Sequence, residues 1–205
     1  MASTFPTSID NFTDPLATSP LNSPSHSLQH ANLNDAVNKI ETYMGLVVVK
    51  TQAVGTTVSS VSVTNAFSAT YDNYQVQWQG GAMSGDTSIN MTLTGAGSTS
   101  FYSAFMYGTY QTAVTTVTNE GTEGVSSFRN IGGGYSGSAF LDATLYAPFI
   151  SGRTTNIFAP VRYTSKWGTT TGLCVDSASI TGFTISPASG TMTGGTIVIY
   201  GYRKA

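Results

Sequence analysis

The chain has 205 residues, enough for one β-domain plus an extension. Only 9% of them are charged, against about a quarter in ordinary soluble proteins. The net charge of −2, with 8 scattered Lys and Arg, excludes the clustered basic footprint of a nucleic-acid binder.

Residues 1–31 read as an extended arm. Pro6, Pro15, Pro20 and Pro24 lie there, and proline removes a backbone donor and biases its predecessor toward extended geometry. Phe5, Ile9, Phe12, Leu16, Leu21 and Leu28 recur through the same stretch. A purely solvated tail carries fewer large apolar groups. The arm is therefore expected to dock, with Phe5, Ile9, Phe12 and Leu16 as its anchors. Met1–Asp10 lacks a basic segment followed by an apolar core, so no secretory signal is expected. No apolar run in the chain approaches the roughly 20 residues of a membrane span, so no membrane insertion is expected.

Residues 32–45 read as a short helix. Asn32 is a good N-cap, and Asp35 sits near the positive end of the helix dipole. Leu33, Val37, Ile40 and Met44 fall at spacings that place them on one stripe. Gly45 supplies the left-handed position that ends the helix. So short a helix is marginal alone, and its stripe is expected to be buried, either on the β-domain or on copies of itself.

Residues 46–205 read as continuous β-structure. Leu46–Val49, 57–63, 74–78 and 88–94 are rich in β-formers, and 88–94 alternates polar and apolar strictly. Further strands are predicted at 101–107, 111–118, 139–146, 154–163, 171–175, 179–185 and 195–202. Gly80-Gly81, Gly95-Ala96-Gly97, Gly132-Gly133-Gly134 and Gly194-Gly195 punctuate them. About ten short strands with turn signals between them predict a mostly β fold: a jelly-roll-like antiparallel β-sandwich behind an extended arm and one short α-helix. The single cysteine, Cys174, lies in an apolar stretch and is expected to be a buried small hydrophobe. With no intrachain disulfide possible, synthesis in a reducing cytoplasm is expected.

Catalytic chemistry finds little footing. Both histidines, His26 and His30, precede the β-domain, which excludes a Ser-His-Asp triad within it. Glu120 and Glu123 sit in Asn119-Glu120-Gly121-Thr122-Glu123-Gly124, predicted to be a hairpin tip. No cofactor and no metal site is expected. His26 and His30 have no local third ligand, although a symmetry axis could supply one from neighbouring subunits. Gly132–Gly134 lacks the Lys of a phosphate loop, and the surroundings of Asp86 do not match a calcium loop. Trp78 and Phe183 are assigned to the core. Phe101, Tyr102, Phe105, Tyr107 and Tyr110 crowd one segment, and Trp167 stands in a predicted loop. Exposed Tyr and Trp offer large, stiff contact surfaces on which sugar rings stack. Trp167, Tyr107 and Tyr110 are therefore the candidate ligand contacts, with Trp167 first.

Phe5-Pro6-Thr7-Ser8-Ile9-Asp10, followed by the pattern His-x-x-Gln-His-x-x-x-Asn-Asp-Ala at His26–Ala36 and a helix ending at Met44-Gly45, resembles the N-terminal segment of many tailed-bacteriophage virion proteins, the minor tail proteins and head fibres. Tyr71-Asp72-Asn73-Tyr74, Ser138-Ala139-Phe140-Leu141 and Gly195–Gly201 are similar, more loosely, to phage β-sandwich tips. The resemblance implies a non-enzymatic virion component, commonly trimeric, located in the virion after assembly in the host cytoplasm. Its partners would be other virion proteins of tail or capsid, two further copies of itself and a host-surface glycan. The first expectation is a tail or tail-tip fibre protein, anchored by its arm, trimerised through Leu33, Val37, Ile40 and Met44, and touching the host through the β-domain. The second is a capsid decoration protein or head fibre using the same arm. The third, from another class, is a glycan hydrolase with Asp142 and Asp176 as its carboxylate pair.

Overall fold

A computed structural model of the chain describes residues 26–43, 45–109 and 117–204. The arm anchors Phe5, Ile9, Phe12 and Leu16, the helix residue Met44, the candidate contact Tyr110 and most of the strand predicted at 111–118 lie outside these residues. Helix α1 spans His26–Tyr43, so it begins well before the predicted cap at Asn32. Residues 26–31 hold no breaker, and Leu28, Gln29 and Ala31 are strong helix formers. Once a helix is nucleated, extending it through such residues is favourable, and the cap preference of Asn32 does not stop it. Asp35 and Lys39, four apart, form an ion pair at 3.5 Å, the favourable acid-before-base order. Leu33, Val37 and Ile40 are exposed. Gly45 has φ +74° and open space where a Cβ would be, so the left-handed backbone, not crowding, calls for glycine there. The helix belongs to one compact unit and Leu46–Tyr202 to another.

The second unit is antiparallel β-structure. Its strands are β1 Leu46–Ala53, β2 Val61–Val63, β3 Asn73–Gln79, β4 Ala82–Met83 and β5 Thr87–Leu93. Then come β6 Phe101–Thr109, β7 Thr118–Val125, β8 Phe128–Tyr135, β9 Ser138–Tyr146 and β10 Thr155–Tyr163. β11 Lys166–Cys174, β12 Phe183–Pro187, β13 Met192–Thr193 and β14 Thr196–Tyr202 complete the set. One row runs β1-β14-β3-β9 and another β2-β12-β5-β8. Numbering these eight strands B to I in chain order gives B-I-D-G and C-H-E-F, the two layers of a jelly roll, so the predicted class holds. The hairpins β6–β7 and β10–β11 are insertions, between β5 and β8 and between β9 and β12. Because β9 runs antiparallel to β8, both insertions leave the sandwich at the same end. They pair with each other as the row β10-β11-β6-β7, which joins the sandwich through β9.

The two layers bury one core. Tyr74, Val76 and Trp78 of β3 and Ile197 and Ile199 of β14 face Ile89, Met91 and Leu93 of β5 and Phe183 and Ile185 of β12. Phe67, in the β2–β3 connection, bridges them, with its ring 4.8 Å from Tyr74 and 5.7 Å from Phe183. Each such side chain contributes about 1.5–3 kcal/mol on burial. The indole of Trp78 keeps its polar end satisfied by donating to the Gly194 carbonyl at 3.1 Å. Cys174 is fully buried in the same core, and burial pushes its thiol up from the ordinary value, which suppresses thiolate chemistry.

Several predicted turns and strands differ: predicted 179–185 is a strand only from Phe183, and predicted 171–175 is the end of the longer Lys166–Cys174 strand. The run Gly132–Gly134 lies inside β8, not between strands. A Cβ on Gly133 would stand 2.6 Å from the Tyr163 Cβ, and one on Gly134 would stand 2.3 Å from the Ser138 carbonyl oxygen. These glycines let β10 and the β8–β9 hairpin close tightly over β8. Glu120 and Glu123 lie along β7 rather than at a hairpin tip. The segment predicted as a strand at 57–63 is a strand only from Val61; before it, Thr57 takes φ +55°, and Val58 keeps a single bridge to Met192.

Candidate functional site

The inserted four-stranded sheet carries the chemistry. On the face turned toward β5 and β8, Phe105 stacks on Tyr107 with ring centroids 4.8 Å apart and on Tyr163 at 5.9 Å. The Lys166 ammonium lies 4.3 Å from the Tyr107 ring centroid and 5.8 Å from that of Tyr163. It forms an ion pair with Glu120, and the Tyr107 hydroxyl donates to the same carboxylate oxygen at 2.8 Å. The hydrogen bond from Lys166 holds the Glu120 carboxyl below its ordinary value, opposed by burial and helped by Tyr107. Burial pushes the Lys166 ammonium down, but its hydrogen bonds to Glu120 and Tyr107 outweigh that and hold it above the ordinary lysine value. Burial raises the phenol of Tyr163.

A cleft of about 400 Å³ runs beside this cluster, lined by Ser88, Asn90, Ser103, Glu120, Arg129 and Asn130 among others. Its walls are stitched by side chains that replace ladder hydrogen bonds at the start of β8, where the pairing with β5 shifts register and the pairing with β9 has not yet begun. The Arg129 N–H donates to the Ser103 Oγ at 3.4 Å, the Asn130 N–H to the Asn90 Oδ1 at 3.3 Å, and the Thr170 hydroxyl to the Asn130 carbonyl. The Tyr163 hydroxyl donates to the Asn130 Oδ1 at 3.3 Å. These groups hold the inserted sheet to the sandwich, so the cleft is a rigid seam.

The opposite face of the inserted sheet is different. Trp167 lies in β11, not in a loop, directly opposite Gly108 of β6 on one side and Arg162 of β10 on the other. The two-residue turn Thr164-Ser165, with Thr164 at φ +51°, makes a tight hairpin and leaves Trp167 near its tip. A Cβ on Gly108 would meet Cε2, Cζ2 and Nε1 of the indole at 3.4, 3.5 and 3.5 Å. Three nearly equal distances mean that the ring lies face-on over the glycine. One indole face is therefore fixed on the strand, and with 57% of the residue exposed, the other is open to solvent. Met106 and Phe158 are exposed on the same face.

Of the sequence candidates, Trp167 is on this open surface and Tyr107 is not. Tyr107 pairs with Gly168, which turns its ring to the reverse face, where its hydroxyl is engaged by Glu120. Asp142 accepts a hydrogen bond from Gln75 Nε2 at 2.7 Å within the sheet. Asp176 accepts from the Gly97 and Ala178 N–H groups at 3.0 and 3.3 Å. Each carboxylate of the hydrolase pair is thus used by a local structural contact. Sequence reading missed Arg162 and Lys166; only the cross-strand register shows which face each occupies. Among the described residues no cluster of three or more His, Cys, Asp and Glu could hold a metal ion, and no helix is long and apolar enough to cross a membrane. No family model, curated protein or solved structure matches the chain.

Proposed function

We propose that the chain is a virion structural protein of a tailed bacteriophage, a tail or tail-tip fibre component that anchors by its N-terminal arm and presents the jelly roll to the host surface. The motif at His26–Ala36 and the low charge of the β-domain support the virion assignment. The observation that carries the attachment role is the Trp167 platform: a flat indole, backed by Gly108 and open on its outer face, at the tip of a rigid hairpin. Such a ring takes the C–H face of a sugar, and function is better read from this site than from the fold, which hosts many activities. The exposed stripe Leu33, Val37 and Ile40 is the trimerisation surface, because apolar side chains left open along one face of a helix are buried by association. Three copies would then turn weak single contacts into firm attachment.

Competition for adsorption tests this reading. Purified protein added to host cells blocks infection by the parent phage, and Trp167→Ala protein blocks it far less. Equal blocking by the two proteins would remove Trp167 from the attachment site.

A further inference from the structure

The fork at β9 leaves a groove that the fold itself does not use. β9 pairs with β10 only from Thr144 to Tyr146 and with β8 only from Ser138 to Leu141, both along the same edge. β10 peels away between those two stretches. The wedge that opens is a groove of about 280 Å³ lined by Gly134, Tyr135, Ser138, Ala139, Phe140 and Arg162. Tyr135 and Phe140 are exposed aromatic rings, and Arg162 is exposed as well. The Arg162 guanidinium lies 6.0 Å from the Tyr135 ring centroid, within cation–π range. Among the described residues Arg162 forms no ion pair.

Arg162 links the groove to the indole platform. Arg162 stands directly opposite Trp167 in the β10–β11 ladder, and opposed residues share a face with Cβ atoms roughly 5 Å apart. Side by side, then, stand an open indole, a guanidinium and two exposed rings. Lys166, the other cation of this hairpin, faces the reverse side and is held by Glu120. Arg162 is therefore the cation offered beside the groove; Asp142, two residues beyond Phe140 on the same face of β9, keeps its carboxylate on Gln75 Nε2 at 2.7 Å.

We infer that this surface binds a saccharide bearing a carboxylate. The planar fork of Arg162 takes the two carboxylate oxygens with paired N–H donors, a geometry that arginine matches better than any other side chain. Trp167 and the rings of Tyr135 and Phe140 take the apolar faces of the sugar. The groove is slightly smaller than the roughly 300–1,000 Å³ of sites for drug-sized molecules, which suits one sugar ring with the rest of the chain running over Trp167. A cationic ligand is repelled, and a neutral sugar gains nothing from the guanidinium charge.

The inference rests on the attachment reading, and one experiment separates the two. Full-length protein is titrated with oligosaccharides ending in a uronic or sialic acid, and with the same oligosaccharides after reduction of the carboxyl to an alcohol. The acidic forms bind about tenfold more tightly, the worth of a charge-assisted hydrogen-bond pair. Arg162→Gln abolishes that preference, Arg162→Lys restores part of it, and Trp167→Ala weakens binding of both forms. Both positions are exposed, so unchanged melting temperatures confirm intact folds. Equal affinity of wild-type protein for acidic and reduced forms, with both still dependent on Trp167, overturns the carboxylate assignment and leaves the attachment reading standing. Binding of neither form overturns both.

Discussion

Lys166→Met tests how the hairpin carrying Trp167 is held. Methionine keeps the apolar stem and removes the charge. The variant loses the Glu120 ion pair and the contact over the Tyr107 ring at 4.3 Å. The Lys166 and Glu120 side chains are 27% and 41% exposed, so water screens the pair, and an exposed-type value of about 0.2–1 kcal/mol applies. The cation–π contact adds about 0.5–1 kcal/mol. The expected loss is about 1 kcal/mol, or roughly 2–4 °C in melting temperature for a domain of this size. A double-mutant cycle with Glu120→Gln isolates the pair, and urea denaturation across pH reads it. The pKa of Glu120 is lowered on folding, so its contribution is present above the ordinary value of 4.5 and is lost as pH falls through the folded value beneath that. The pKa of Lys166 is raised, so the same coupling also fades as pH rises through its folded value above 10.5. Coupling near zero at neutral pH, or coupling that persists once Glu120 is protonated, would refute this account of the hairpin.

Thr155 is 1% exposed and its Oγ1 has no hydrogen-bond partner. Thr155→Val, which has the same shape without the orphan hydroxyl, stabilises by about 1 kcal/mol in chemical denaturation; a loss of stability would mean that the hydroxyl is satisfied. Gly133→Ala forces a methyl against Tyr163 and the Arg162 carbonyl and costs about 1–3 kcal/mol by the same assay, whereas Gly45→Ala, with open space around it but φ +74°, costs only the roughly 1 kcal/mol of left-handed strain. Trp167→Ala changes stability by about 0.5 kcal/mol or less, as for other exposed sites, while weakening saccharide binding. Val37→Asp with Ile40→Asp converts the proposed trimer to monomer in light scattering and leaves the far-ultraviolet β signal intact; an unchanged mass would remove the helix from the assembly interface.

The strands with a clean period were legible. Predicted 88–94 became Thr87–Leu93 because alternation there reports one buried face directly; predicted 154–163 became Thr155–Tyr163, although its apolar run Ile157–Val161 does not alternate and leaves Phe158 exposed. Trp78, Phe183 and Cys174 are buried, as their neighbours suggested. β7 and β8 were not legible, since Glu and Gly in 118–134 have low β-propensity and read as turns. Their strand character comes from partners distant in sequence: Gly133 is glycine because Tyr163 leaves no room for a side chain there. The same limit hid the site. Trp167 could be picked out as an exposed aromatic, but its face, its backing glycine and its neighbour Arg162 are products of register, which a single residue's shift would invert. The helix start was misplaced because Asn32 is a good cap that a favourable upstream segment made unnecessary.

Imaging whole virions labelled with an antibody against Leu46–Tyr202 tests the central claim most directly. Label confined to the distal tail is the predicted result. Label spread over the head would make the chain a capsid decoration protein or head fibre, and absence of label from purified particles would contradict a virion role altogether.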